Sequence, residues 1–115
     1  MDIKGLFKSL EYVGQADGDR NSYSVFVGAK AYLVASPNSR AGLNLNVVPR
    51  EAPEAIRRRF RGRRVTVTQI LKGSGRSRLF RDRFAALNAL YVLVACRQAR
   101  KLAERDGRAM VFKVT

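Results

Sequence analysis

The chain has no histidine, no tryptophan, one cysteine and only nine acidic residues among 115. Without histidine there is no Ser-His-Asp or Cys-His dyad, no imidazole base and no His-containing metal site. A single cysteine, Cys96, excludes an intrachain disulfide and a four-cysteine zinc cage. It follows the apolar run Leu93-Val94-Ala95, where an inert core thiol is expected rather than a reactive one. Long hydrophobic runs are missing as well. The longest, Phe84–Cys96, spans 13 residues and contains Asn88, against about 20 needed to cross a bilayer. Met1-Asp2-Ile3-Lys4 shows no signal-peptide pattern. The expectation is a soluble, cytoplasmic chain with no membrane partner, no metal and no cofactor.

The scarce acids exclude more. A metal-dependent nuclease needs carboxylates clustered around Mg²⁺, whereas Asp2, Glu11, Asp17, Asp19, Glu51, Glu54, Asp82, Glu104 and Asp106 are scattered. No enzymatic activity is expected, and a nuclease fragment is the weaker alternative. Asp17-Gly18-Asp19 with Asn21 is too short a ligand ladder for calcium and reads as a turn. Lys72 precedes Gly73 and Gly75, which reverses the order of a P-loop.

What remains is positive charge on an ordinary globular composition. There are 23 Lys and Arg, a formal net charge of +14, and 46% hydrophobic residues. One α+β domain is expected. Its charge is unevenly placed. Residues 1–50 hold six basic and four acidic residues, and residues 51–115 hold 17 and five. Arg57, Arg58, Arg59, Arg61, Arg63, Arg64, Lys72, Arg76, Arg78, Arg81 and Arg83 face one acid, Asp82, within 57–83. A solvated face normally mixes both signs, so an anionic partner is expected. Arginine's planar fork suits phosphate and guanine.

Residues 2–10 place Ile3, Leu6, Phe7 and Leu10 at helical spacing. Tyr23–Val27 and Ala31–Ala35 read as strands, and Ser36–Gly42 as a turn. Leu43–Val47 alternates strictly, so Leu43, Leu45 and Val47 are expected in the core, with Asn44 and Asn46 outside. Residues 10–48 therefore read as an antiparallel β-meander. Pro53 opens a helix to Arg61 that shows Ile56 and Phe60 to the core, and Gly62 stops it. Arg64–Val67 reads as a short strand, Thr68 as the cap of a short helix Gln69–Lys72, and Gly73–Gly75 as a turn. Ser77 is the expected N-cap of a longer helix whose core spacing includes Phe80, Phe84, Leu87, Tyr91 and Val94. That helix either continues to Glu104 or stops near Cys96. In the second case Ala99–Ala103 and Arg108–Val114 pair as a hairpin around Asp106-Gly107.

With the hairpin, the segments "RRVTVTQILKGSG", "FAALNALYVLVAC" and "ERDGRAMVFKV" give an order of elements that resembles a winged helix-turn-helix DNA-binding domain over residues 50–115. The resemblance implies a wing with its tip at Arg105–Arg108 and Lys101 beside it. The would-be recognition helix is long and apolar, so only Ser77–Arg83 is left to face DNA. The helix N-terminus near Ser77 suits a phosphate, and Thr68, Gln69, Ser74 and Ser77 are small polar donors for backbone or base edges.

The function expected is non-enzymatic binding of nucleic acid, duplex DNA foremost, as a transcriptional regulator or DNA-recognition module. RNA or ribosome association is the alternative, and an acidic protein or anionic membrane surface a further one. The contact residues expected are Arg57, Arg58, Arg59, Arg61, Arg63, Arg64, Thr68, Gln69, Lys72, Ser74, Arg76, Ser77, Arg78, Arg81, Lys101, Arg105 and Arg108. Homodimerisation through the near-neutral β-half is an analogy with modules that match two half-sites.

Overall fold

The computed structural model describes residues 9–74 and 79–115. The apolar spacing at residues 3–7 and the expected contacts Arg76, Ser77 and Arg78 lie outside the described residues. The fold is α+β. Strands β1 (Glu11–Asp17), β2 (Ser22–Val27), β3 (Ala31–Pro37) and β4 (Leu43–Pro49) form an antiparallel meander in that order. Asn38 shapes the last turn: its Oδ1 accepts from the Arg40 and Gly42 amides, each at 2.9 Å. This is the local bonding that makes asparagine a turn former.

β4 corrects the sequence expectation. Its alternation is real, but Leu43, Leu45 and Val47 are not in the core: every residue of the strand except Val48 is exposed, Asn44 and Asn46 as expected among them. Asn44 and Asn46 pair with Ser36 and Val34 and so share the helix-side face with them. Leu43, Leu45 and Val47 stand on the opposite face at 65%, 48% and 49% exposure. The strand's buried residue is Val48, and parity carries Asn46 and Asn44 to its side. That outer face, with Tyr12, Phe26 and Leu33, forms an apolar depression of about 670 Å³.

Helix α1 (Glu51–Phe60) starts two residues earlier than expected, placing Glu51 and Glu54 in its first turn and burying Ala52, Pro53 and Ile56. Acids there meet the positive end of the helix dipole. Gly62 follows in the left-handed region, φ +78°. After β5 (Arg64–Val65) comes α2 (Val67–Ser74). Its cap is Thr66 rather than Thr68. Thr66 Oγ1 accepts from the Gln69 amide at 3.3 Å, and the Thr66 amide donates to Gln69 Oε1 at 2.9 Å. This reciprocal pair is a capping box, which Thr66-x-x-Gln69 supplies.

Helix α3 (Arg83–Ala95) is the centre of the core, with Ala86 and Asn88 to Leu93 all buried. It does not begin near Ser77: Leu79–Asp82 are not helical, and Asp82 caps it by accepting from the Ala85 amide at 2.9 Å. Nor does it continue to Glu104. The Gln98 amide donates to the Leu93 carbonyl at 2.8 Å and the Arg97 amide to the Val94 carbonyl at 3.0 Å. That is a Schellman stop, with Arg97 at φ +60° where glycine is usual. Arg97→Gly is expected to stabilise the protein by about 1 kcal/mol, since an L side chain there crowds its own carbonyl. A raised urea midpoint at unchanged slope is the readout; an unchanged midpoint would mean that the arginine side chain repays the strain.

β6 (Ala99–Asp106) and β7 (Ala109–Val114) complete the chain as a hairpin, and the second sheet has the order β5-β7-β6. Gly107, at φ +63°, opens its two-residue turn. The core joins Ala16, Val25, Val34 and Val48 of the first sheet to α3, to Ile56 and Ile70, and to Val65, Phe112 and Val114 of the second. β1 approaches the end of α3 so closely that a Cβ on Gly14 would stand 2.8 Å from the Ala95 carbonyl oxygen.

Candidate nucleic-acid interface

The second sheet carries an unusual row. Arg64 on β5 pairs with Lys113 on β7, and Lys113 pairs with Arg100 on β6. Three cations therefore stand at directly opposed positions on one face. Like charges so placed destabilise a sheet. Lys113 Nζ donates to the Gly62 carbonyl at 2.6 Å. Among the described residues, the acid paired with this row is Glu104, 2.9 Å from Arg64 Nε.

α1 delivers more charge to the same edge. The Gly62 amide donates to the Val114 carbonyl at 2.8 Å, and the Val114 amide to the Arg63 carbonyl at 3.0 Å. Arg57 Nε donates to the Thr115 carbonyl at 3.3 Å. Arg57, Arg61, Arg63 and Arg64 thus gather around the end of β7. Arg58 turns back to Glu54 at 3.1 Å, and the Arg59 guanidinium lies 5.4 Å from the centre of the Phe60 ring.

Other expected contact residues are placed elsewhere. Lys101 and Arg105 are committed to Asp19: Lys101 Nζ is 3.1 Å away, and Arg105 Nη1 donates to Asp19 Oδ2 at 3.0 Å. These side chains fasten the β1–β2 turn to β6 rather than facing an adjacent groove. The Arg105 hydrogen bond, then that of Lys101, holds the Asp19 carboxyl well below the usual carboxylate range. A depressed folded pKa stabilises the fold above the unfolded value, near 3.8, and this contribution is lost as pH falls below it. Asp19→Asn should therefore melt lower than the parent at neutral pH, and the two should converge in acid. Parallel melting curves down to the acid limit would contradict the linkage.

Gln69 is spent on the cap of α2. Thr68 Oγ1 accepts from Arg83 Nη1 at 3.1 Å, so it positions an arginine. Lys72 and Arg81 are exposed, and Ser74 ends α2. The N-terminus of α3 is not the phosphate seat expected of it, because the Asp82 carboxylate already occupies it.

Two cavities flank the start of α3. One, about 240 Å³, is lined by Arg83 and Arg108 with Asp19, Phe84 and Leu87. The other, about 450 Å³, lies between α3 and the helix-side face of β4, lined by Asn44, Asn46, Ser36, Asn88, Phe84 and Tyr23 among others. Phe84, expected in the core, is 74% exposed. It precedes the first inward-facing turn of α3, and helical spacing alone does not show where burial begins.

Cys96 is half-buried, and burial raises its pKa, which keeps it a thiol at neutral pH. Among the described residues no group of three His, Cys, Asp or Glu side chains converges on a point, and no helix is long and apolar enough to cross a membrane. Sequence reasoning missed Arg100, Lys113, Phe84, Asn44, Asn46 and Asn88. The alternation of β4 was the available signal for its two asparagines. Comparison with protein-family models, curated proteins and solved structures finds no match for the chain.

Proposed function

We propose that the protein binds nucleic acid without enzymatic action, and that duplex DNA lies across the second sheet and the end of α1. The observation that carries this is the Arg64–Lys113–Arg100 row. A sheet keeps directly opposed like charges, at a cost in stability, where an anion relieves the repulsion. Phosphates spaced along a strand suit a row of cations better than a single small anion does. Arg57, Arg61 and Arg63 extend the footprint.

The order α1, β5, α2, α3, β6, β7 suits a winged helix-turn-helix reading of residues 50–115, in the role of a transcriptional regulator or DNA-recognition module. The burial of α3 supports a duplex contact on the sheet and the arginines beside it rather than on that helix. The test is binding to duplex DNA, single-stranded DNA and duplex RNA of equal length across a salt series. With six phosphate contacts, log affinity for duplex DNA should fall against log salt with a slope of about −5. A flat dependence overturns the reading, and tighter binding of duplex RNA replaces DNA with RNA.

A further inference from the structure

The geometry points to a nucleotide site beside α3: an unpaired base, adenine by its edge, seated in the amide-lined groove, with its phosphate at Arg83 and Arg108. That the nucleotide belongs to a bound strand rests on the nucleic-acid reading above. The base-and-phosphate chemistry does not.

β4 presents its asparagines, not its leucines, to the helix side. Burial alone would turn Leu43, Leu45 and Val47 towards the helices and leave Asn44 and Asn46 in water. The strand instead turns its leucines and Val47 outward and sets Asn44 and Asn46, still exposed, on the helix side where they line the groove, and a broken local rule of this kind is expected where a site is built. Two polar side chains, Ser36 and Asn88, line the groove beside Asn44 and Asn46. Ser36 and Asn88 are 4% and 7% exposed. Asn88 spends its Nδ2 on the Phe84 carbonyl at 2.9 Å. Its Oδ1, like the Ser36 hydroxyl, has no hydrogen-bond partner among the described residues. No buried polar side-chain atom is left wholly enclosed and unpaired, so both atoms reach solvent, and both residues line the groove.

Charge is divided between the two cavities. None of the described residues lining the groove is ionised, so its occupant is neutral, with donors and acceptors. An amide presents both together, the pattern that matches the N6 and N7 edge of adenine. Phe84 supplies an exposed ring at the mouth, where a base stacks. The adjoining cavity shares Phe84 and Leu87 with the groove and brings in Arg83 and Arg108. Its one carboxylate, Asp19, is already neutralised by Lys101 and Arg105. A neutral planar group joined to an anion fits the two together, and a nucleotide is that molecule.

The experiment uses the full chain and an otherwise abasic single strand carrying one adenine, the same strand wholly abasic, and adenosine monophosphate. The adenine strand should bind about tenfold tighter than the abasic one. Phe84→Ala and Asn46→Leu should abolish that preference, so that the adenine and abasic strands bind alike. Both positions are exposed, so the variants should fold. Equal affinity for the two strands, with steep salt dependence kept, overturns the groove and spares the nucleic-acid reading. Binding of adenosine monophosphate, lost in Phe84→Ala, with no strand bound, supports the groove and overturns the nucleic-acid reading.

Discussion

Threonine at Arg64, Arg100 and Lys113 together should take away much of the affinity for duplex DNA while leaving the fold as stable as before or more so. Each phosphate contact contributes about 0.9 to the slope of log affinity against log salt, so three lost contacts should flatten it by about 2.7. Between 50 and 200 mM salt the gap between parent and variant should then shrink by about 40-fold. Threonine suits an exposed strand face, and removing directly opposed like charges relieves a few tenths of a kcal/mol per pair. The lost hydrogen bond to the Gly62 carbonyl is replaced by water, because Gly62 is exposed, and the lost Arg64–Glu104 ion pair is solvent-exposed on both sides and contributes little. Stability and affinity are thus expected to move in opposite directions, which a merely unfolded variant cannot imitate. Binding curves at four salt concentrations, beside a urea melt, decide it. An unchanged slope in a folded variant would make the row a solvated face.

Why that row escaped the sequence reading is a matter of register. The turn at Gly107 pairs Asp106 with Ala109 and Arg105 with Met110. Extended without a break, that register would set Lys113 opposite Leu102. An irregularity between Lys101 and Arg105 shifts the pairing by two residues, and Arg100 arrives opposite Lys113. Hairpin turns are legible in a sequence, but a bulge further up the strand is not, because tertiary packing decides where the extra residues go. β4 shows the same limit. Period two said that one set of residues faces the helices, and only the burial of Val48 says which. Three strands of the meander, a helix opening near Pro53 and, as one of two alternatives, the final hairpin were legible because each rests on local chemistry: alternation, a first-turn proline, an Asp-Gly step. The charge window was legible as a quantity. Its division among a cation row, an Asp19 clasp and two cavities depended on contacts between residues far apart in the chain.

Phe112→Ala tests whether that division rests on one cooperative core. Phe112 has no exposed surface. Its ring meets Tyr91 edge-on with centroids 6.3 Å apart, and Tyr91 stacks on Tyr23 at 4.2 Å. Three rings therefore run from the second sheet through α3 to the first. Burial drives the Tyr91 phenol pKa up, so the hydroxyl keeps its proton across the physiological range. Truncating the end of this chain removes the largest apolar side chain of the second sheet and leaves a cavity that flanking strands cannot fill without moving. The expected cost is about 3–5 kcal/mol, a large share of the roughly 5–15 kcal/mol that holds a domain folded. At about 4 °C per kcal/mol, the melting temperature should fall by roughly 12–20 °C. Phe112→Leu keeps most of the volume and should cost under about 1.5 kcal/mol. Because Lys113 is the next residue, loosening β7 also frees the centre of the cation row, so the alanine variant should lose affinity for duplex DNA before it unfolds. A fall of less than about 5 °C would mean that the second sheet melts apart from the first, and that the row sits on a separate unit.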